Sequence, residues 1–203
     1  MSFSGYLLFL AVYVAAVASP GPAVAAVVAR ALSVGAARTL PFIAGVTLGD
    51  LVWFWLSAAG LAVVAERFHT LFLIVKYAGV AYLLWLAVKL WRAPADVGAP
   101  PPQARGEGVR LFLGGLSLTL GNPKVMVFFL AILPNLIDVG RVSTAALALA
   151  SATIAVVLPI VMIGYATLAD RARRLVSSAA AQRRVNRATA ALMAGAAAAV
   201  AAK

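Results

Sequence analysis

The 203-residue chain has no cysteine and only one histidine, His69. The first absence removes disulfides, thiol chemistry and cysteine metal sites, and the second removes any histidine cluster. Charge is scarce too: 11% of residues are Asp, Glu, Lys or Arg, where a soluble domain carries about 25%. Acidic residues are the scarcest, 6 against 17 Lys and Arg, for a net charge of +11. In a soluble protein that surplus would suggest a nucleic-acid partner. Here the bases are thinly spread between long apolar runs, so nucleic acid is not expected as a partner. What the chain has in excess is apolar character, 64% of residues with a mean hydropathy of +1.01. It reads as an all-α integral membrane protein whose surroundings are the lipid bilayer. No room is left for a soluble catalytic domain, and no cofactor or metal site is expected.

Six apolar stretches run through residues 6–28, 40–64, 71–90, 111–133, 144–169 and 188–202. The first five are long enough to cross about 30 Å of hydrocarbon at 1.5 Å per residue; the sixth is short and made largely of Ala. The long connection contains Pro94, Pro100, Pro101 and Pro102 with Gly98, Gly106 and Gly108, and reads as a surface loop. The expected organisation is a single transmembrane domain over 1–203. It comprises a first repeat 1–92, a loop 93–110 and a second repeat 111–203, three helices in each. The small residues at 17–19 could be mistaken for a signal-peptide cleavage site. No basic region precedes them and apolar character resumes after Pro22, so retention of this stretch is expected.

The bases set an orientation. Arg30 and Arg38 fall in the first loop, Lys89, Arg92, Arg105 and Arg110 in the third, and Arg171, Arg173, Arg174, Arg183, Arg184 and Arg187 in the fifth. Positive charge is retained on the cytoplasmic side. The first, third and fifth loops are therefore expected there and both termini outside; a re-entrant first stretch would move the N-terminus alone. The basic fifth loop is either a topology signal or a site for anionic lipid.

Two interruptions stand out. The first stretch carries Ser19-Pro20-Gly21-Pro22 and the fourth carries Gly121-Asn122-Pro123-Lys124. Proline removes a backbone donor and clashes with the preceding turn, and in hydrocarbon the freed groups need partners in protein or a water-filled cavity. Ser19 and Asn122 are good N-cap residues, each followed by Pro at a first helical position. Each half-helix then presents unpaired N–H groups and a positive dipole end, suited to a carboxylate. Pro20 comes 14 residues into its stretch and Pro123 comes 12 into its own. With three helices per half, the second half enters from the opposite face and the breaks meet near the midplane, as in an inverted repeat. The plainer reading is a pair of packing kinks.

Asp50 lies 11 residues into the second stretch, about 15 Å deep. A carboxylate there costs on the order of 3 kcal/mol and is usually functional; it suits proton exchange or a substrate ammonium. Lys124 is a counter-charge for Asp50 or for a substrate carboxylate. Lys76 reads as snorkelling, and Arg30 and Lys89 as anchors at cytoplasmic helix ends. Gly45 and Gly49 form a GxxxG pair suited to close helix packing at the site. Tyr82 is either a core residue or a substrate contact through its hydroxyl.

These residues, in order, resemble the LysE/RhtB family of bacterial amino-acid exporters over nearly the whole chain. The resemblance rests on Ser19-Pro20-Gly21-Pro22, Gly35, Arg38, Gly45, Gly49-Asp50 and Gly60-Leu61, then Lys76, Gly79, Tyr82 and Leu83. It continues through Asn122-Pro123-Lys124, Phe128-Phe129, Leu133-Pro134 and Asn186-Arg187. It implies efflux, linked to the proton motive force, of amino acids or close derivatives such as homoserine, threonine, lysine and homoserine lactone. It also implies a place in the bacterial inner membrane. The chain departs from the family at Ala23, where many members have Asn, and at Thr39 and Ala87, often Gly. The resemblance therefore leaves the substrate open.

The expected function is export of a small zwitterion. Its carboxylate lies at Ser19–Pro22 and Asn122–Lys124, its ammonium points toward Asp50, and Asp50 carries the coupling proton. An intramembrane aspartyl enzyme needs two carboxylates sharing a proton. Glu66, Asp96, Glu107, Asp138 and Asp170 all fall in loops or at helix ends, and His69 sits at a membrane edge, so an enzyme is not expected. The alternatives are a cation or metal-ion exporter, for which one Asp is a poor start, and a non-transporting membrane subunit. Small-residue faces such as the Ala-rich last stretch leave homo-oligomerisation open.

Overall fold

Phe9, Tyr13 and Val17 repeat at intervals of four and make one buried stripe along helix α1, Phe3–Ala18. The computed structural model describes residues 3–59, 77, 80, 81, 84, 85, 87–89, 91, 92, 106–129, 143–175 and 179–201, and the regular structure among them is helical. After α1 come α2, Pro22–Val34; a 3₁₀ turn, Ala37–Thr39; and α3, Leu40–Ala58. Then follow α4, Glu107–Leu120; α5, Pro123–Val127; α6, Thr144–Leu175; and α7, Ala179–Ala201. Of the third expected span only scattered positions are described. Lys76 and Tyr82 lie outside the described residues, as do Glu66, His69, Asp96 and Asp138.

Both proline motifs break the helix in which they sit. α1 and α2 meet at 53°, and Gly35, at φ 90°, ends α2 with its N–H on the Ala31 carbonyl. Among the described residues, Ala37–Ala58 and Thr144–Arg173 are long and apolar enough to cross a bilayer, and the bent pair adds a third if it is one span.

Several expected boundaries are corrected. The first stretch stays helical through Arg30 to Val34. α4 opens at Glu107 rather than at residue 111, after Gly106 in a left-handed conformation at φ 75°. α6 continues past residue 169 to Leu175, and α7 opens at Ala179 rather than at residue 188. The six arginines assigned to a fifth loop therefore lie on helices. Arg and Ala are strong helix formers, so the helix outlasts its apolar portion.

α3 and α4 make the closest pair. A Cβ on Gly45 would collide with the Phe112 carbonyl and one on Gly115 with the Phe42 carbonyl, while one on Gly49 would sit 2.6 Å from Thr119 Cβ. The absence of side chains lets the two backbones touch. α6 lies across α1, α2 and α3, and α7 lies along α2.

At one end of these helices the charges are paired. Glu107 takes Arg30 at 2.7 Å and Arg38 at 3.1 Å, so Arg30 is an ion-pair partner as well as a helix-end residue. Asp170 meets Arg173 at 3.5 Å, and Arg173 also reaches the Ser33 carbonyl. Burial works to raise the Glu107 carboxyl. The hydrogen bond and charge of Arg30, then the charge and hydrogen bond of Arg38, outweigh that and hold it below its ordinary value of 4.5.

Two outcomes follow. Gly45→Ala should lower thermal stability in detergent by about 1–3 kcal/mol, the usual cost of overpacking, whereas Gly164→Ala, with nothing within 4 Å, should be neutral or slightly stabilising. Because the Glu107 carboxyl is depressed in the folded state, its contribution is present above about pH 4.5 and fades as pH falls through its folded value. The stability gap between the unaltered protein and Glu107→Gln, read from thermal unfolding across pH, should therefore be full near neutrality and close in acid.

Candidate functional site

The first break is built by two prolines spaced around a glycine. Ser19 closes the last turn of α1, its N–H on the Ala15 carbonyl at 3.0 Å. Gly21 is extended at φ −166° and ψ −175°, and Pro22 opens α2. The helix therefore restarts with Gly21 as N-cap and Pro22 at the first position. This corrects the expectation of Ser19 as cap and Pro20 as first residue: Pro22 biases its predecessor out of helical conformation, which delays the restart. At the second break Asn122 does cap, its Oδ1 accepting the Lys124 N–H at 3.1 Å, with Pro123 at the first helical position.

The breaks lie against each other. Lys124 Nζ donates to the Ser19 carbonyl at 2.8 Å and to Ser19 Oγ at 2.6 Å. The Lys124 chain passes Gly21, where an added Cβ would sit 3.5 Å from both Cδ and Nζ. The neighbouring Ala18 carbonyl accepts the Tyr165 hydroxyl of α6 at 2.7 Å. Two carbonyls at the end of α1, those of Ala18 and Ser19, are thus satisfied by side chains from the second half of the chain.

Asp50, on α3, is 4% exposed. Its Oδ2 accepts the Tyr13 hydroxyl at 2.9 Å, the hydrogen bond it makes among the described residues, and Oδ1 is left unpaired. Lys124 gives two of its three ammonium donors to Ser19 and makes no ion pair with Asp50. Tyr13 is itself fixed by aromatic contacts, stacked on Phe9 with centroids 5.7 Å apart and tilted against Phe128 at 5.7 Å and Phe129 at 6.2 Å.

Ser19, Gly21, Asp50, Asn122 and Lys124 line one cavity of about 50 Å³, with Tyr13 beside Asp50 and Phe128, Leu158 and Met162 among the apolar walls. That volume holds about four water-sized spheres. Pro20, Pro22 and Pro123 are not among its lining residues; Ser19 is exposed at its rim while Asn122 and Asp50 are buried within. The structure brings these expected residues together; Gly45 and Gly49 stand on the α4 side of α3. Tyr13, Tyr165 and Glu107 were not anticipated. Tyr13 had a signal, a hydroxyl on an otherwise apolar stripe of period four, but nothing local names its partner.

Broken apolar helices around a small charged cavity define a helical membrane protein with an internal polar site. The sequence pattern of the LysE type translocator family matches residues 14–203, and the chain belongs to that family, one of transporters rather than enzymes. It is 32% identical over 174 residues to a homoserine/homoserine lactone efflux protein of Salmonella typhimurium, covering 84% of this chain and 83% of that one. A leucine efflux protein of Klebsiella pneumoniae is 32% identical over 66% of this chain and 64% of its own. A threonine efflux protein of Escherichia coli is 30% identical over 61% and 62%. No solved structure matches the chain.

Tyr13→Phe keeps the ring and deletes the donor to a buried carboxylate. It should cost about 1–3 kcal/mol in thermal unfolding. In an Asp50→Leu background the same change should cost much less, the coupling expected of a direct pair in a double-mutant cycle.

Proposed function

We propose that the chain is a secondary exporter that carries an amino acid or close derivative out of the cytoplasm, driven by the proton motive force. In this reading it is one transmembrane domain of six helices in two inverted three-helix halves, the first and fourth broken, in the bacterial inner membrane. The bent α1–α2 pair and the α4–α5 break support the paired halves. The converging ends of α2, α4 and α6, with Arg30, Arg38, Glu107, Asp170 and Arg173, suit a shared cytoplasmic face. The efflux activities named for the relatives support the direction and the solute class.

The observation that carries the reading is a small cavity in which the described residues place one carboxylate and one ammonium, each hydrogen-bonded to a neutral partner rather than ion-paired to the other. A substrate carboxylate binds between the first turn of α2 and Lys124, beside Asn122, and draws the ammonium off Ser19. The substrate ammonium takes the unpaired Oδ1 of Asp50. Uptake of a proton by Asp50 from the outer side neutralises that carboxylate, releases the substrate outward and resets the carrier on the proton's passage inward. The two halves rock about this site. Among the described residues no cluster of three His, Asp or Glu side chains offers a cation site, so an amino acid is favoured over a metal ion as cargo.

Asp50→Asn should insert and fold like the unaltered protein yet fail to move amino acid against its gradient, read as efflux from cells loaded with dipeptides. Undiminished uphill efflux in that variant would remove Asp50 from the coupling role.

A further inference from the structure

We infer that the transported amino acid has an uncharged, aliphatic side chain, and that dibasic and acidic amino acids are excluded by a shortage of counter-charges in the cavity wall. The inference rests on the exporter reading and narrows it. Among the described residues the wall holds one carboxylate, Asp50, and one ammonium, Lys124. An α-amino acid headgroup uses both. Asp50 has one oxygen to give, since Oδ2 is taken by the Tyr13 hydroxyl. Asn122 gives its Oδ1 to the Lys124 N–H, so it has only amide donors to add, and these favour the carboxylate.

Apart from Ser19, what remains of the wall among the described residues is apolar and includes Val24, Val46, Val125, Phe128, Leu158 and Met162. Val24, Phe128, Leu158 and Met162 are each less than a tenth exposed. A second ammonium on the substrate would be desolvated against these side chains with, among the described residues, only the uncharged Ser19 oxygens to meet it, in a cavity that already carries Lys124. A second carboxylate would have to share Lys124 with the first. Burying a charge without a partner is far costlier than burying a methyl group. A hydroxyl is a milder case, because an apolar pocket rejects an added hydroxyl only by about 100-fold at most. The order of preference is therefore aliphatic first, hydroxylated next, charged last.

The test is substrate counterflow with the purified full chain in liposomes, which needs no proton gradient. Labelled leucine should accumulate when the lumen is preloaded with unlabelled leucine, valine or methionine, and preloading with lysine or glutamate should drive at least tenfold less. Lysine or glutamate exchanging as fast as leucine would overturn the side-chain assignment while leaving an amino-acid exporter intact. No exchange with any of them would overturn both. Met162→Glu supplies the missing second carboxylate, with Met162→Gln as its uncharged control. The Glu variant should raise the ratio of lysine to leucine exchange at least tenfold over the Gln variant, and an unchanged ratio in a protein still exchanging leucine would count against the assignment.

Discussion

A helix broken inside an apolar medium must have its exposed carbonyls and amides answered by other parts of the protein, because lipid answers none of them. Here the Ser19 carbonyl is answered by Lys124 of α5 and the Ala18 carbonyl by Tyr165 of α6. The first break is thus answered from the second half of the chain, while the second is capped by its own Asn122. The dependence explains why α3 and α4 must approach so closely. Asp50 stands on α3 and Lys124 comes just after α4, so the contact at Gly45, Gly49 and Gly115 sets how near the carboxylate and the ammonium lie.

The charges in the cavity are held by neutral partners rather than by each other. Tyr13 holds Asp50 and Ser19 holds Lys124. A buried ion pair broken by removing one partner leaves an uncompensated charge at a cost of several kcal/mol. Releasing an ammonium from a carbonyl and a hydroxyl into a waiting carboxylate exchanges one set of hydrogen bonds for a stronger, charge-assisted set. If the cavity is the substrate site of the proposed exporter, it changes occupant repeatedly and is better served by the second arrangement. Its small volume has the same origin, since the Lys124 chain lies along Gly21 and fills the space its own displacement would open.

The membrane class, both breaks and the burial of Asp50 were legible in the sequence because each rests on a local rule: apolar length, proline geometry, the cost of a charge in hydrocarbon. The restart at Pro22 was ambiguous by the same rules, since Ser19-Pro20 and Gly21-Pro22 each make an acceptable cap and first residue. The reach of α6 and α7 was hidden for another reason. Hydropathy reports where a helix is apolar, whereas the arginines at 171, 173, 174, 183, 184 and 187 sit on helical ends that run beyond the apolar portion. The Tyr13–Asp50 and Arg30–Glu107 contacts span 37 and 77 residues and depend on how the helices meet, which no window of sequence contains.

The ionic cluster bears on how the proposed exporter would work. Arg30 lies eight residues after Pro22, about 12 Å along α2 from the break. Glu107 ties that point and Arg38 to the start of α4, so the three elements between the cavity and this end are linked through one carboxylate. A passage from this face to Asp50 between α2 and α4 has to part Glu107 from at least one arginine. Because Glu107 holds two, it can release one and keep its charge paired by the other. The cost of opening then stays near that of a partly exposed ion pair, about 1 kcal/mol or less, rather than that of an uncovered charge. Alternating access of the proposed kind needs closed and open states of similar free energy, and a carboxylate shared between two arginines is a physical means of keeping them so.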